Sequence, residues 1–235
     1  MEQQCAAILL AAGSARRMGG IDKMRAELGG VPVVRRSLLA LTASPYIRSV
    51  VLVTRAELVD EIRRLCEGIP TLCAVVPGGE DRAASVRCGL AAVPKGFDLI
   101  AVHDGARPLV PREVIDAAVE KAAETGAAMP AVPVRDTIKQ VREGRVLCTP
   151  DRAQLHCGQT PQVFERTLLT RALTEAQRRG LPVTDDASAV EALGRTVWVI
   201  PGSDENLKLT TPIDFRIAEA VLQERRKRDA SRAWI

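Results

Sequence analysis

AILLAAGSARRMGGIDK, residues Ala7–Lys23, begins as an apolar run and turns into a loop of small and basic residues. The run Ala6–Leu10 predicts a buried β-strand. Small residues after a strand let the backbone approach a ligand and offer it N–H groups. Because Arg16, Arg17 and Lys23 share the loop, it is typical of a site for a phosphate chain. A solvated basic loop after an edge strand has the same composition.

The composition predicts a globular protein with neither a nucleic-acid nor a membrane partner. The chain has 235 residues, of which 46% are hydrophobic and 26% charged, enough for a substantial core. A net charge of +4 is mild, and 3% aromatic residues are too few for base-stacking platforms. We find no signal peptide, no apolar run of membrane length and no C-x-x-C pair, so we expect a cytoplasmic protein.

Strand-like and helix-like segments alternate along most of the chain, which predicts an α/β fold with a mostly parallel, doubly wound sheet. The predicted strands after the first are Val50–Val53, Leu72–Val76, Leu99–Val102, Ala127–Val132 and Val197–Ile200. The predicted helices are Val33–Leu41, Leu58–Cys66, Ala83–Ala92, Pro111–Glu124, Arg166–Arg179, Thr184–Leu193 and one from Pro212. Ligands bind outside the carboxyl ends of such strands. We therefore expect the opening loop, Gly78–Ser85 and Asp104–Arg107 to face one crevice.

The alternation stops between Pro133 and Pro161. Two short β-type runs flank a Glu143-Gly144 turn, which predicts a hairpin. It has too few apolar residues for a core of its own, and an isolated hairpin is marginally stable. We expect a single domain, residues 1–235, with an inserted arm at about residues 135–160 that packs on another surface, such as a second subunit.

Asp104 ends a hydrophobic strand beside His103. A lone carboxylate there suits Mg²⁺, which completes its coordination with water and substrate phosphates; helix capping or a pair with Arg107 is the alternative. His103 could be a general base, but we favour a hydrogen-bonded scaffold. The chain has two histidines and no Ser-His-Asp order. Transfer between phosphates, which cations and Mg²⁺ catalyse by position and charge, fits this shortage.

Several cations and hydroxyls are candidates for phosphate contacts, although each cation taken singly is more often a surface charge. The cations are Arg17, Lys23, Arg107, Arg152 and Lys208, and the hydroxyls are those of Thr137, Thr160 and Thr184. Lys208 lies between apolar residues just before a helix start. Thr184 is also a plausible helix N-cap.

The ordered segments AAILLAAGSARRMG, VHDGARP, PVRDTIK, GQTPQVF, TDDAS and ENLKLTTPID resemble the motifs of the 2-C-methyl-D-erythritol 4-phosphate cytidylyltransferase family. The resemblance runs from about Cys5 to Ala220. It implies a Rossmann-like nucleotidyltransferase fold and a homodimer with β-hairpin dimerisation arms. It also implies transfer of CMP from CTP to methylerythritol phosphate with Mg²⁺ or another divalent cation, in the non-mevalonate route to isoprenoids.

The resemblance further implies roles for individual residues. Those implied to be catalytic are Arg17, Lys23 and Lys208, and Asp104 is implied to bind Mg²⁺ beside the nucleotide. Those implied to hold cytosine and ribose are Ala11, Ala12, Gly13, Gly79, Glu80 and Ser85. Those implied to hold the sugar phosphate, some from the partner's arm, are Arg107, Thr137, Arg152, Thr160, Thr184 and Lys208.

Three positions depart from the family pattern. Ala15 stands where the family usually has glycine, and Asp22 and Met24 stand where proline and glutamine are common around the lysine. Asp22 places a carboxylate beside Lys23 and could pair with it when no nucleotide is bound.

Two other functions remain open from the sequence. A ribitol 5-phosphate cytidylyltransferase would share the first loop, HD-x-x-RP, QTPQ and the final lysine, whereas Arg135-Asp136-Thr137 and Asp151-Arg152 favour methylerythritol phosphate. A non-catalytic nucleotide-binding module is the alternative from another class. The joint presence of Arg17, Lys23, Asp104 and Lys208 argues against it.

Overall fold

The computed structural model describes residues 4–13 and 22–232. Its strands are β1 (Cys5–Leu10), β2 (Glu27–Leu28), β3 (Val31–Pro32), β4 (Ile47–Thr54), β5 (Leu72–Pro77), β6 (Leu99–Asp104), β7 (Ala127–Pro133), β8 (Gln140–Arg142), β9 (Arg145–Cys148), β10 (His156–Gly158), β11 (Gln162–Glu165) and β12 (Trp198–Pro201). Its α-helices are α1 (Val33–Thr42), α2 (Val59–Leu65), α3 (Arg82–Ala92), α4 (Arg112–Thr125), α5 (Arg166–Arg178), α6 (Asp186–Glu191) and α7 (Pro212–Arg232).

The main sheet has the strand order β10–β7–β11–β6–β1–β4–β5, and β12 also pairs with β7. Strands β6, β1, β4 and β5 are parallel to one another, while β11 runs antiparallel between β6 and β7. The predicted α/β fold with a mostly parallel, doubly wound sheet is confirmed.

The first strand shows why the sheet is covered on both faces. Cys5, Ala7 and Leu9 belong to one hydrophobic core, which also contains residues of α1, α2 and α4. Ala6 and Ile8 belong to the other, with residues of α3 and α5. Because successive side chains of a strand point to opposite faces, a continuous apolar run supplies both cores.

The predicted helices and parallel strands are all present, with ends shifted by a few residues. Strand β11 was not predicted from the sequence; its residues Gln162, Val163 and Phe164 are buried, and it pairs with both β6 and β7. The sixth helix also begins later than predicted: the N-cap of α6 is Asp185, not Thr184. Asp185 forms a capping box with Ser188.

The expected hairpin is present as β8 and β9, which form a two-stranded sheet separate from the main one. Its turn residues Glu143 and Gly144 have φ values of 50° and 76°, as two-residue hairpin turns require. All residues of both strands are exposed, including the apolar side chains of Val141, Val146 and Leu147.

Gly89 sets the distance between α3 and the sheet. A Cβ atom at this position would lie 2.6 Å from Ile8 Cγ2 and 3.0 Å from Val53 Cγ2. We expect Gly89→Ala to lower the free energy of unfolding by about 1–3 kcal/mol through overpacking, despite the better helix propensity of alanine. Urea denaturation measures the change.

The control is Ala91→Gly at an exposed position of the same helix. It should cost about 1 kcal/mol, from helix propensity alone. A Gly89→Ala variant more stable than the wild type would contradict the close approach of α3 to β1 and β4.

Candidate functional site

The carboxyl ends of β1, β4 and β6 meet at one edge of the sheet, where Leu10 lies in register with Val53 and with Asp104. The loops there enclose a cavity of about 380 Å³. Its lining residues are Leu10, Ala11, Ala12, Gly13, Lys23, Met24, Gly79, Glu80, Asp81, Arg82, Ser85, Asp104, Ala106 and Lys208. Described residues of all three segments expected to face one crevice therefore line it: Ala11–Gly13 and Lys23 of the opening loop, Gly79 and Ser85 of the second, and Asp104 and Ala106 of the third.

The backbone after β5 is held against the start of α3. Gly79 donates its N–H to Ser85 Oγ (3.2 Å), and Asp81 caps the helix by accepting the Ala84 N–H (2.6 Å). A Cβ atom at Gly79 would lie 2.4 Å from the Ala84 Cβ, so only glycine fits. The positive end of the dipole of α3 thus borders the cavity, as is favourable for an anionic ligand.

Three cations surround the carboxylate of Asp104. Lys208 Nζ lies 2.7 Å from its Oδ2, and Arg82 and Arg107 each place a nitrogen 3.7 Å from one of its oxygens. Burial acts to raise the pKa of Asp104, but Lys208, Arg82 and Arg107 outweigh it and lower the pKa to about 2. Asp104 is therefore an anion at neutral pH.

Arg82 and its partner Asp186 also belong to the site, although neither was predicted from the sequence. Arg82 Nη1 donates to Asp186 Oδ2 at 2.6 Å, and Asp186 is fully buried in the first turn of α6. Burial raises the pKa of Asp186, against the attraction of Arg82. The second aspartate of the TDDAS motif thus holds an arginine beside Asp104. The available signal was an arginine in the first turn of a helix that follows a glycine loop.

His103 has the hydrogen-bonded, buried position of a scaffold residue, the role that we favoured over that of a general base. It is fully buried, with Nδ1 3.0 Å from Thr160 Oγ1 and Nε2 3.1 Å from the Arg107 carbonyl oxygen. Thr160 Oγ1 accepts the Asp104 N–H at 3.0 Å and can therefore donate its proton to Nδ1. Nε2 then carries the proton of a neutral ring. Burial lowers the pKa of His103 to about 4.

The QTPQ motif extends this buried network. Asn206 donates to Gln159 Oε1 (3.1 Å) and to the Thr160 carbonyl oxygen (2.8 Å). Gln162 donates to Asp185 Oδ2 and accepts the Ala187 N–H. Hydrogen bonds from this one motif thus connect β6, the segment before Lys208 and α6.

Lys23 and Lys208 reach the cavity from distant parts of the chain. Lys23 Nζ donates to the Leu209 carbonyl oxygen at 3.5 Å, next to Lys208. The Leu209 N–H in turn donates to the Ala106 carbonyl oxygen at 2.8 Å. The two predicted catalytic lysines therefore lie on neighbouring walls of one cavity.

Five predicted substrate-binding residues do not line this cavity: Arg107, Thr137, Arg152, Thr160 and Thr184. Arg107 is largely buried and donates to the Asn206 carbonyl oxygen at 2.6 Å, and Thr160 is engaged with His103 and Asp104. The other three are exposed. Arg17, Arg16 and Ala15 lie outside the described residues.

The surroundings of Asp104 suit a cation that takes most of its ligands from water and substrate, rather than one held by several protein side chains. Within residues 4–13 and 22–232, no group of three or more His, Cys, Asp or Glu side chains could hold a metal ion. One ionised carboxylate at the wall of this cavity fits the preference of Mg²⁺ for one or two carboxylates plus substrate phosphates. In the same ranges, no helix combines the length and apolar character needed to cross a bilayer.

The chain is similar in sequence and structure to known cytidylyltransferases. A profile of the 2-C-methyl-D-erythritol 4-phosphate cytidylyltransferase family matches residues 5–224. Proteins of that name from Bacillus licheniformis and Symbiobacterium thermophilum are 41% and 44% identical, covering 94% and 92% of this chain and 97% and 92% of their own. A crystal structure titled 4-diphosphocytidyl-2C-methyl-D-erythritol synthase, from Anaerococcus prevotii, superposes with a TM-score of 0.84 at 29% identity, covering 94% of this chain and 96% of that one.

The buried neutral His103 makes stability depend on pH. Its pKa is about 4 in the fold, against 6.5 for an unperturbed histidine, so the unfolded chain binds more protons between these values. We expect this residue to lower the free energy of unfolding by up to about 3 kcal/mol as the pH falls through that window. Denaturation of the wild type and of His103→Gln at several pH values measures the difference.

His103→Gln should have a shallower slope of stability against pH than the wild type. His156→Gln, at the chain's other and exposed histidine, should keep the wild-type slope. Equal slopes for the wild type and His103→Gln would contradict a neutral His103.

Proposed function

Because the chain belongs to the 2-C-methyl-D-erythritol 4-phosphate cytidylyltransferase family, we propose that it transfers CMP from CTP to methylerythritol phosphate in this cavity. The products are 4-CDP-2-C-methyl-D-erythritol and pyrophosphate, in the non-mevalonate route to isoprenoids. One observation carries the proposal: the cavity is lined by Lys23, Lys208 and Asp104 together with the glycine-containing loops at Gly13 and Gly79.

The cavity suits a nucleotide in size and in lining. Ligand pockets commonly enclose roughly 300–1,000 Å³, and this one encloses about 380 Å³. Two segments with small residues line the cavity: Ala11, Ala12 and Gly13 follow β1, and Gly79, Glu80 and Ser85 come from the loop after β5 and the first turn of α3. We assign cytosine and ribose to these two segments, where backbone groups can read the edge of a base.

The chemistry needs little help from an acid or a base. The phosphate of the sugar alcohol, largely a dianion at pH 7, attacks the α-phosphorus of CTP. One phosphorus–oxygen bond forms, and the bond to the β-phosphate oxygen breaks with departure of pyrophosphate. Lys23 and Lys208 stabilise the negative charge that develops on these oxygens, by position and charge. Arg17 is proposed as a third catalytic cation on the basis of the sequence.

Asp104 is the residue that would hold Mg²⁺. When bound, the ion would neutralise phosphate charge and orient the triphosphate. Asp104 is available for this role because its pKa is low, and its neighbours Lys208 and Arg82 are then free to pair with phosphate oxygens instead.

We assign the sugar phosphate to Lys208, with Arg107, Thr137, Arg152, Thr160 and Thr184 as further predicted contacts. The arm residues Thr137 and Arg152 are exposed, and Arg152 Nη1 donates to the Arg135 carbonyl oxygen at the base of the arm. The exposed apolar side chains of β8 and β9 fit burial against a second copy of the chain. We therefore propose a homodimer in which arms contribute to the partner's site.

The six cysteines are all free thiols, as suits a protein of the reducing cytoplasm. We propose that the enzyme acts there.

Pyrophosphate release from CTP and Mg²⁺ tests the proposed reaction. Methylerythritol phosphate should be preferred to ribitol 5-phosphate as acceptor. Lys23→Ala should lower kcat by about 10²- to 10³-fold, because a cation that stabilises transition-state charge is lost. Lys95→Ala removes an exposed lysine elsewhere and serves as the matched control. Preference for ribitol 5-phosphate, or a Lys23→Ala enzyme with kcat close to that of the wild type, would refute the assignment.

Mixed dimers test whether the arm acts on the partner's site. Arg152→Ala and Lys23→Ala subunits, each weakly active alone, should recover about a quarter of the wild-type activity when refolded together, because half of randomly formed dimers are mixed and each has one intact site. Sedimentation of differently tagged subunits verifies the mixing. No recovery in verified mixed dimers would indicate an arm that serves its own subunit.

A further inference from the structure

We infer that Asp22 is a positioning residue for Lys23: its carboxylate joins the turn that carries the lysine to the end of β4. The inference rests on the proposed function, because it assigns Asp22 its role through a lysine proposed to be catalytic.

One oxygen of Asp22 shapes the turn around Lys23. Oδ1 accepts the Met24 N–H at 2.9 Å, and the Asp22 carbonyl oxygen accepts the N–H groups of Arg25 and Ala26 at 3.1 and 3.0 Å. Lys23 therefore lies inside a loop closed by three hydrogen bonds to the residue before it. Side-chain-to-backbone bonds of this kind specify local turns.

The other oxygen anchors that turn to the sheet. Asp22 Oδ2 forms an ion pair with Arg55, which directly follows β4, and Arg25 Nε lies 3.8 Å from the same oxygen. The end of β4 also holds both backbone walls of the cavity: Ala11 donates to the Val53 carbonyl oxygen and Gly78 to that of Thr54, each at 2.7 Å. The turn that carries Lys23 and the two backbone segments beside the cavity are thus all bound to the carboxyl end of β4.

The charges of this cluster suit an anchor beside a phosphate site. Asp22 is only 8% exposed, and a buried carboxylate near a triphosphate is unfavourable unless cations compensate it. Arg55 and Arg25 supply two cations, and these in turn contact Glu57 and Glu61 at 3.5 and 3.3 Å. We call the contacts of Asp22 with the Met24 N–H and with Arg55 the Asp22 clamp. The glutamates hold the two arginines of this cluster in place.

The clamp matters because the lysine has to reach across the cavity. Its Nζ extends to the Leu209 carbonyl oxygen, on the wall formed by the segment that carries Lys208. If the turn relaxes, the ammonium moves relative to the reacting phosphorus. A misplacement of about 1 Å can cost 10²-fold in rate.

Three variants distinguish the hydrogen bond of Asp22 to the Met24 N–H from its ion pair with Arg55. Each is measured in steady-state assays with CTP, methylerythritol phosphate and Mg²⁺. Asp22→Ala removes both contacts and should lower kcat by about 10- to 100-fold, with the KM for CTP changed by less than about threefold. Asp22→Asn keeps an oxygen for the Met24 N–H but loses the ion pair, and Arg55→Met loses only the ion pair. Both should fall between Asp22→Ala and the wild type. Asp60→Asn, in an exposed pair with Arg63, should leave kcat unchanged.

A Lys23→Ala background shows whether Asp22 acts through the lysine. Residues that act as a unit are strongly non-additive, so Asp22→Ala added to Lys23→Ala should cause no further loss of single-turnover rate. Thermal unfolding establishes that each variant is folded; if Asp22→Ala is not, Asp22→Asn is tested in both backgrounds by the same criterion.

Two results would overturn the inference: a folded Asp22→Ala variant with kcat within about twofold of the wild type (Asp22→Asn taking its place only if Asp22→Ala does not fold), or the same loss in rate with and without Lys23. A wild-type chain that releases no pyrophosphate from CTP with methylerythritol phosphate would instead refute the proposed function.

Discussion

The geometry of the cavity depends on the ion pairs that the carboxylate of Asp104 forms at a junction of three segments. This carboxylate draws together Lys208, Arg82 and Arg107, which come from different segments and would repel one another without an anion between them. Asp104 in turn ends a central strand, so the junction is rigidly placed relative to the backbone loops. Under the proposed function, the same cations would pair with substrate phosphates and Asp104 would hold the divalent cation.

Behind this junction lies a buried polar network that accounts for much of the motif content of the chain. Thr160 connects His103 with the Asp104 N–H, while Gln162 and Asn206 tie α6 and the Lys208 segment to the same region. Buried polar groups have to be satisfied, so such a network tolerates few residue types. Motif residues can thus serve the site by holding other residues in place, without lining the cavity.

Much of the fold was predictable because local patterns and burial agree. Each long helix and parallel strand has a clear periodicity or an apolar run, and Glu143-Gly144 is a turn with a known conformational requirement. Strand β11 was missed because its four residues carry no pattern of their own, and pairing on both sides makes it a strand. The start of α6 was misplaced because Thr184 and Asp185 are both acceptable caps, and the bond to Ser188 decides between them.

The sequence by itself determined the doubly wound architecture, the family resemblance and the residues Lys23, Asp104 and Lys208 as a set. These follow from residue type and order, which are properties of the chain. Only the tertiary structure decided that Arg82 stands beside Asp104, that Asp186 holds it there, and that Asp22 joins the lysine turn to Arg55. Those pairs are separated by 22 to 104 residues in the sequence, and their interactions depend on distance and burial, which only the folded chain defines.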